Sequence, residues 1–286
     1  MKQIFLFLSI ILALGCAPEE QQNQYGCSNN PLAVNYNPIA LTDDGSCVMV
    51  YEVQNSLFAK FTATWCGPCG SWGGPAFVGA INQHKGKILA MSLQTNDNFT
   101  TSLNGSLVNG PTGFDSKWNY SGTPSFVAND VNLDQNVGGA TPIITSAYQT
   151  SPDMAVGIGK TIGAGTNEGK FNLNVYVKSY KNLTGQYHLA VYFLAKEVVK
   201  NQNTEAGYDA NYVHHHVLLG SPTGNGAWGD PIATNPKAGE VFRWSNAVDY
   251  TEYETLYGIT KDDIEVVAVI WKTDGSEYFF VNCTPN

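Results

Sequence analysis

Apolar residues run almost unbroken from Ile4 to Leu14, and beyond that they recur in short blocks divided by polar stretches rich in Asn, Gly and Thr. Ser56 to Thr64 is dense in β-formers and reads as a strand, and Gly70 to His84 can continue from it as a helix. Ile88 to Gln94 reads as a second core strand, Thr123 to Ala128 as a third, and Ile143 to Gln149 as a closing helix. This alternating order over residues 51–150 predicts a central sheet covered by helices. Past Ser151-Pro152 the period changes to two, with Phe171, Leu173, Val175 and Val177 alternating along Lys170 to Ser179. Further strands are expected at Gln186 to Ala195, Asn211 to Leu219, Glu240 to Trp244, Ile264 to Trp271 and Glu277 to Asn282, with Asp274-Gly275 as a hairpin turn between the last two. Many strands with few helices predict a β-sandwich over residues 151–286.

The first block is too short to span a bilayer comfortably, and with Lys2 before it residues 1–15 read as an export signal. Gly15-Cys16 closes this segment and resembles a bacterial lipoprotein signal, which implies cleavage before Cys16 and acylation of that residue. Ala13 and Leu14 depart from the commonest form of that signal. Acyl chains contribute about 0.8 kcal/mol per buried methylene, so lipidation would hold the chain to a membrane.

Of the 286 residues 43% are hydrophobic, enough to build cores, whereas only 14% are charged against about 25% in ordinary soluble domains. The net charge of −9 leaves no basic stripe to neutralise phosphates and argues against nucleic acid as a partner. Neither a phosphate-binding glycine loop of the Walker kind nor a Gly-x-Ser-x-Gly elbow is present.

The chemistry concentrates in Trp65-Cys66-Gly67-Pro68-Cys69. Two cysteines with two residues between them, behind a strand and before a helix, form a reversible dithiol/disulfide pair. Cys66 at the helix N-terminus would have its thiolate favoured by unpaired N–H groups and the helix dipole. Cys69, one turn on, is placed to resolve a mixed disulfide formed at Cys66. Half of a zinc site is the other use of such a pair, but no second Cys/His pair stands at ligand spacing nearby, so no metal is assigned.

Ala63 to Cys69 resembles the thioredoxin superfamily, and most of all its TlpA/ResA-type reductases of bacterial envelopes. Ser121 to Val127 carries a second mark of that superfamily. The resemblance implies that Pro124 is a cis-proline facing the dithiol and that the backbone of Thr123 pairs with a bound substrate chain. It also implies that Trp65 packs beside the site, and Gly67-Pro68 resembles the reducing members. Lys60 departs from the pattern, since thioredoxins carry a buried acid there. A charged Lys60 would stabilise thiolate; a buried one would lose its proton, and one snorkelling to solvent would have no part.

Gly26 to Pro38 with Asp43 to Cys47 resembles a short repeat of secreted and surface proteins of Gram-negative bacteria, which implies a Cys27–Cys47 disulfide. Closing so short a segment would contribute about 3 kcal/mol. Asp43 and Asp44 suit either a calcium site or an Asp-Asp-Gly turn. Cys283 is left over and is expected unpaired in or beside a strand. His214 and His216, two apart, would share one side of a strand; contact with aromatic neighbours or a buried hydrogen bond accounts for them better than zinc.

Leu189 to Phe193, Asn211 to Leu218 and Phe279 to Asn282 resemble the C-terminal part of a family of Gram-negative outer-membrane lipoproteins that join a thioredoxin-like half to a β-sandwich. The expected fold is therefore an α/β thioredoxin-like domain (51–150) followed by an all-β sandwich (151–286). A signal (1–15) and a lipidated tether with the disulfide-closed repeat (16–50) precede them. The function expected first is that of a membrane-tethered thiol–disulfide oxidoreductase in the cell envelope, with no cofactor. It would act on envelope protein thiols or disulfides, fed by a membrane thiol donor. Cys66 would attack, Cys69 resolve, and Thr123 and Pro124 hold substrate. The alternative is a non-catalytic surface binding or adhesion lipoprotein in which Cys66–Cys69 is a structural disulfide.

Overall fold

The computed structural model describes residues 25–286; the expected signal and the lipidation site Cys16 lie outside these residues. Short strands β1 (Tyr25–Gly26) and β2 (Thr42–Asp43) pair in the N-terminal repeat, which a Cys27–Cys47 disulfide closes. The Asp43 carboxylate accepts from Ser28 N at 3.1 Å and Asn29 Nδ2 at 2.7 Å, and Asp44 accepts from Ser46 N at 2.9 Å. These carboxylates therefore tie down the turn. Both sulfurs next to Asp43 are committed to the disulfide and are not available as thiolate ligands.

Next come β3 (Ser56–Thr62), a wide helical turn at Cys69–Gly73, α1 (Gly74–Gln83) and β4 (Ile88–Gln94). Both strands are buried on both faces, which is why neither alternates in sequence; they run parallel, with Lys60 opposite Ser92. Helices α2 (Gly105–Val108) and α3 (Phe114–Trp118) are followed by β5 (Ser125–Ala128), β6 (Val131–Asp134) and α4 (Ala140–Tyr148). The rest of the chain is mainly strands: β7 (Met154–Ile162), β8 (Lys170–Ser179), β9 (Gln186–Thr204), β10 (Gly207–Gly220), β11 (Asp230–Thr234) and β12 (Val241–Asp249). Helix α5 (Thr251–Tyr257) then precedes β13 (Ile264–Thr273) and β14 (Tyr278–Cys283).

The strands form one nine-stranded sheet in the order β14-β13-β9-β10-β4-β3-β5-β6, with β11 also on β9, and a three-stranded sheet β12-β8-β7. The expected fold class is corrected. The described chain is mostly β, and strands from both halves of the sequence share one sheet, so there is no α/β thioredoxin-like unit followed by a separate sandwich. The join lies at Val217 opposite Ser92. There β10 turns aside at His216, whose φ is +49°. The C-terminal residue Asn286 fills the place left beside β4, exchanging side-chain hydrogen bonds of 2.9 Å with the backbone of Ala90. The His216 ring, 2.7 Å from Glu265 Oε2, braces that corner.

One face of the large sheet is apolar across this join. Leu57, Phe61, Leu89, Met91 and Leu93 of β3 and β4 continue into Tyr192, Leu194 and Trp271 of β9 and β13. Helices α2 and α3 cover it with Leu107, Val108, Phe114 and Trp118. The polar stretch Thr95 to Trp118 thus spends its apolar residues on the sheet. On the other face Phe77 of α1 and Ile144 of α4 pack on Phe58, Ile88 and Phe126. Phe171, Leu173, Val175 and Val177 of β8 pack on Leu189, Val191 and Phe193. Asn282, fully buried, donates to Val53 O and Met154 O and accepts from Asn55 N, linking β14 to the segments leading into β3 and β7.

Candidate functional site

Strand β3 delivers Ala63 and Thr64 to a tight loop, and Cys66 stands directly before the helical turn that opens at Gly67. Cys66 and Cys69 are joined by a disulfide, and both residues are buried, at 4% and 2% exposure. Thr123–Pro124 is a cis peptide, and Thr123 O lies 3.4 Å from Cys66 Sγ. Trp65 is 56% exposed, with its ring N–H donating to Asn96 O, and Pro68 is exposed beside it. The loop is held from one side by Asp97, whose carboxylate accepts from Thr64 N at 2.8 Å. Burial raises the pKa of that carboxyl.

From the other side the loop is covered. The outer half of the β9–β10 hairpin extends over it, and its side chains and backbone satisfy the loop's polar groups. Gln202 Nε2 donates to Ala63 O at 3.1 Å and Cys66 O at 2.8 Å, Asn203 N to Thr64 O at 2.7 Å, and Asn203 Nδ2 to Trp65 O at 3.1 Å. Glu205 N donates to Ser71 Oγ at 2.7 Å, and the Thr204 backbone passes beside Gly67. Two glycines make the approach possible. A Cβ on Gly70 would stand 2.4 Å from Asn203 O, and one on Gly74 would stand 2.0 Å from the Tyr212 hydroxyl.

Lys60 lies in the sheet beneath this turn, buried, with its ammonium group 4.8 Å from the centre of the Phe77 ring. It does not snorkel to solvent, and burial brings its pKa down to about 7. His214 of β10 is also buried, edge-on to Phe99 and Tyr212 at 4.8 and 4.9 Å between ring centres. Burial first and the charge of Lys60 second lower its pKa to about 4. Its Nε2 has no hydrogen-bond partner among the described residues. Cys283 is buried and free, and burial pushes its thiol pKa up.

Residues 112–277, more than half of the chain, match the model of a family described as outer membrane protein Omp28. The chain belongs to the Omp28 family. Among solved structures it is similar to HBP35 of Porphyromonas gingivalis, at 20% identity and a TM-score of 0.65, over 82% of this chain and 76% of that one. That likeness is one of fold. No curated protein matches the chain.

Membership in the Omp28 family places the protein in the cell envelope, at the outer membrane. It also corrects the identification with the thioredoxin superfamily and its TlpA/ResA-type reductases, and with it the expectation of a thiol–disulfide oxidoreductase acting through Cys66 and Cys69. The physical reason is one of scale. A C-x-x-C turn and a Thr-Pro step specify about a dozen residues of local geometry, whereas the family match and the shared sheet involve most of the chain.

A second concavity in this Omp28 protein gave no motif. Pro111 to Lys117, Asn225 to Trp228 and Ser276 to Tyr278 enclose a cleft of about 620 Å³. Trp228 and Tyr278 lie ring on ring in its wall, 4.9 Å apart and 8° from parallel. The sequence signals available were the turn residues around it, Asn225-Gly226 and Asp274-Gly275, which mark loops without stating that they meet.

Proposed function

We propose that this Omp28 protein is a non-catalytic binding or adhesion protein of the outer membrane, and that its Cys66–Cys69 disulfide is a structural staple. The covering hairpin carries this reading. Exchange needs a thiolate to reach one sulfur of the bond, and here both cysteines are buried while the side chains of Gln202 and Asn203 bind the carbonyls of the loop that carries them. A buried disulfide with its backbone groups already paired stabilises a loop; it does not present itself to a partner. In this role the chain requires neither a thiol partner nor a membrane electron donor. The anchor is Cys16, on the strength of its lipoprotein-like signal. Cys16→Ala is expected to move the protein from the membrane to the soluble fraction after cell lysis, and unchanged membrane association would remove Cys16 from this role.

The staple is tested by native reduction. Folded protein incubated with dithiothreitol, quenched with a maleimide and weighed intact should label Cys66 and Cys69 only when denaturant is added, and it should not accelerate insulin reduction. Rapid labelling of both cysteines in the folded protein, with insulin turnover, would overturn the reading. Gly70→Val supplies the positive control: its side chain must displace Asn203, costing about 1–3 kcal/mol by overpacking. Labelling should then become at least tenfold faster while the protein remains folded.

A further inference from the structure

Strand β12 (Val241–Asp249) is the outer strand of the sheet β12-β8-β7, and it pairs with β8 over all nine of its residues without a register shift. The ladder fixes which of its backbone groups are used. Ser179 N donates to Glu240 O at 2.9 Å and Tyr250 N to Gly169 O at 3.1 Å, so the even-numbered positions bond toward β8. The N–H and carbonyl groups of Val241, Arg243, Ser245, Ala247 and Asp249 therefore point the other way, and among the described residues no strand or side chain bonds to them. Ser245, Asn246 and Ala247 are exposed together, which leaves the middle of this edge open to solvent. Natural sheets guard such edges, because a row of unpaired backbone groups is a template for another strand. Two other edges of this protein are guarded. On β14 the Lys117 ammonium donates to Tyr278 O and Asp130 accepts from Phe280 N at 2.8 Å; β6 has only four residues and shifts register against β5. Strand β12 carries no bulge, no proline and no lysine.

We propose that β12 pairs antiparallel with the β12 of a second copy of this chain, about a two-fold axis at Ser245, so that the two small sheets become one continuous sheet. This inference does not rest on the binding function proposed above. The strand matches itself in that register. Val241 stands opposite the partner's Asp249 and Arg243 opposite the partner's Ala247, so the outward N–H and carbonyl groups of each strand meet those of the other in hydrogen-bonded pairs. On the face turned to the core, Phe242 stands opposite the partner's Val248. Both are only partly buried in the single chain, and each covers the open flank of the other. On the outer face Arg243 comes diagonal to the partner's Asp249, twice by symmetry. Arg243 Nη2 donates to Asn174 Oδ1 at 2.5 Å and leaves the other guanidinium donors for this pairing. Asp249 accepts from Thr251 N and Thr251 Oγ1 at 2.8 and 2.6 Å, and these bonds hold its carboxyl below the usual carboxylate range. The two-fold also limits growth: each copy spends its open edge on the other, and association stops at two.

The test is disulfide trapping in intact cells that express the full chain, oxidised with copper phenanthroline and read on a non-reducing gel. Facing residues of a hydrogen-bonded antiparallel pair stand about 5.5 Å apart at Cα, within disulfide range. Ser245→Cys, on the axis, should give a covalent dimer as the major species. Arg243→Cys and Ala247→Cys, each more than about 10 Å from its own copy, should stay monomeric alone and cross-link when expressed together. Cys283, the free cysteine of the described residues, is buried, and the parent chain serves as the blank. Sedimentation of the purified full-length chain should show a monomer–dimer equilibrium. Ser245→Lys sets two ammonium groups face to face on the axis and should weaken that equilibrium about tenfold or more, with the circular dichroism of the monomer unchanged. A purified parent that stays monomeric, no dimer from Ser245→Cys, equal cross-linking of all three single variants, or self-association that Ser245→Lys leaves intact would overturn the proposal. So would a cross-link from Ser245→Cys to a different polypeptide without the dimer, which would assign this edge to a foreign strand.

Discussion

Lys60→Met is expected to stabilise the protein at pH 7 and to remove a contribution to stability that the parent protein gains over the variant between about pH 7 and 10.5. Burial among Phe77 and the strands of the sheet lowers the lysine pKa from 10.5 to about 7 in the folded state. Below pH 7 the amine is charged in both states and the folded protein carries the full desolvation cost. Between the two pKa values the unfolded chain binds the additional proton, so stability climbs by about 1.4 kcal/mol per pH unit. Above 10.5 both states are neutral and the climb ends. His214, held at about 4, is neutral throughout this window and does not obscure it. Urea unfolding midpoints measured at pH 6, 7, 8, 9 and 10 on both proteins provide the check. Parallel profiles for parent and variant would show that Lys60 finds solvent or an anion in the fold.

Trp271→Ala should cost about 3–5 kcal/mol, the range for emptying a fully buried aromatic site. Trp271 has no exposed surface and packs with Trp118, Trp228, Phe114 and Phe280, and its ring N–H donates to the Tyr192 hydroxyl at 3.1 Å. The hydroxyl in turn donates to Ala227 O, so the polar pair ties β9 and β13 to the loop that carries Trp228. Domains of this kind hold about 5–15 kcal/mol in total, so guanidinium unfolding should show a large part of the stability gone. Trp271→Phe keeps most of the volume and loses the donor, and about 1–2 kcal/mol is expected. A loss below about 1 kcal/mol for the alanine variant would show that the aromatic cluster is not the centre of this core.

Those parts of the fold whose stability is local were legible in the sequence. Ile88–Gln94 is a strand over the residues its apolar run indicated, and β13 follows Ile264 to Trp271 with two further residues. Strand β9 was expected to stop at Ala195 but runs on to Thr204. The added residues include Lys196, Glu197, Lys200 and Asn201, which give no alternating signal because they are held by pairing with β10 and by the loop beneath. Strand β7 passed unseen for a similar reason: Gly157, Gly159 and Lys160 dilute its apolar pattern. The break between the two halves was inferred from a change of period at Ser151-Pro152, but period says nothing of which strands pair. Only the tertiary structure places β10 beside β4.

The site divides along the same line. Cys66, Cys69 and Pro124 could be associated from their motifs. Gln202, 136 residues from Cys66, could not, since nothing in Asn201-Gln202-Asn203 distinguishes it from a surface turn. On the function proposed above, the chemical meaning of the motif depends on what covers it. The cleft was still less visible, because its three segments are loops whose composition is that of loops everywhere.

The covering of the disulfide by a hairpin from far along the chain also sets an order of assembly. Cys66 and Cys69 are three residues apart and can be joined as soon as their turn has emerged from the translocon, whereas the strands that close over them follow only after more than a hundred further residues. Whatever oxidant serves this compartment therefore has its access early, on a partly exported chain. In the folded chain the Tyr212 hydroxyl donates to Gly70 O, so the hairpin rests on the turn that the early-formed bond has already shaped.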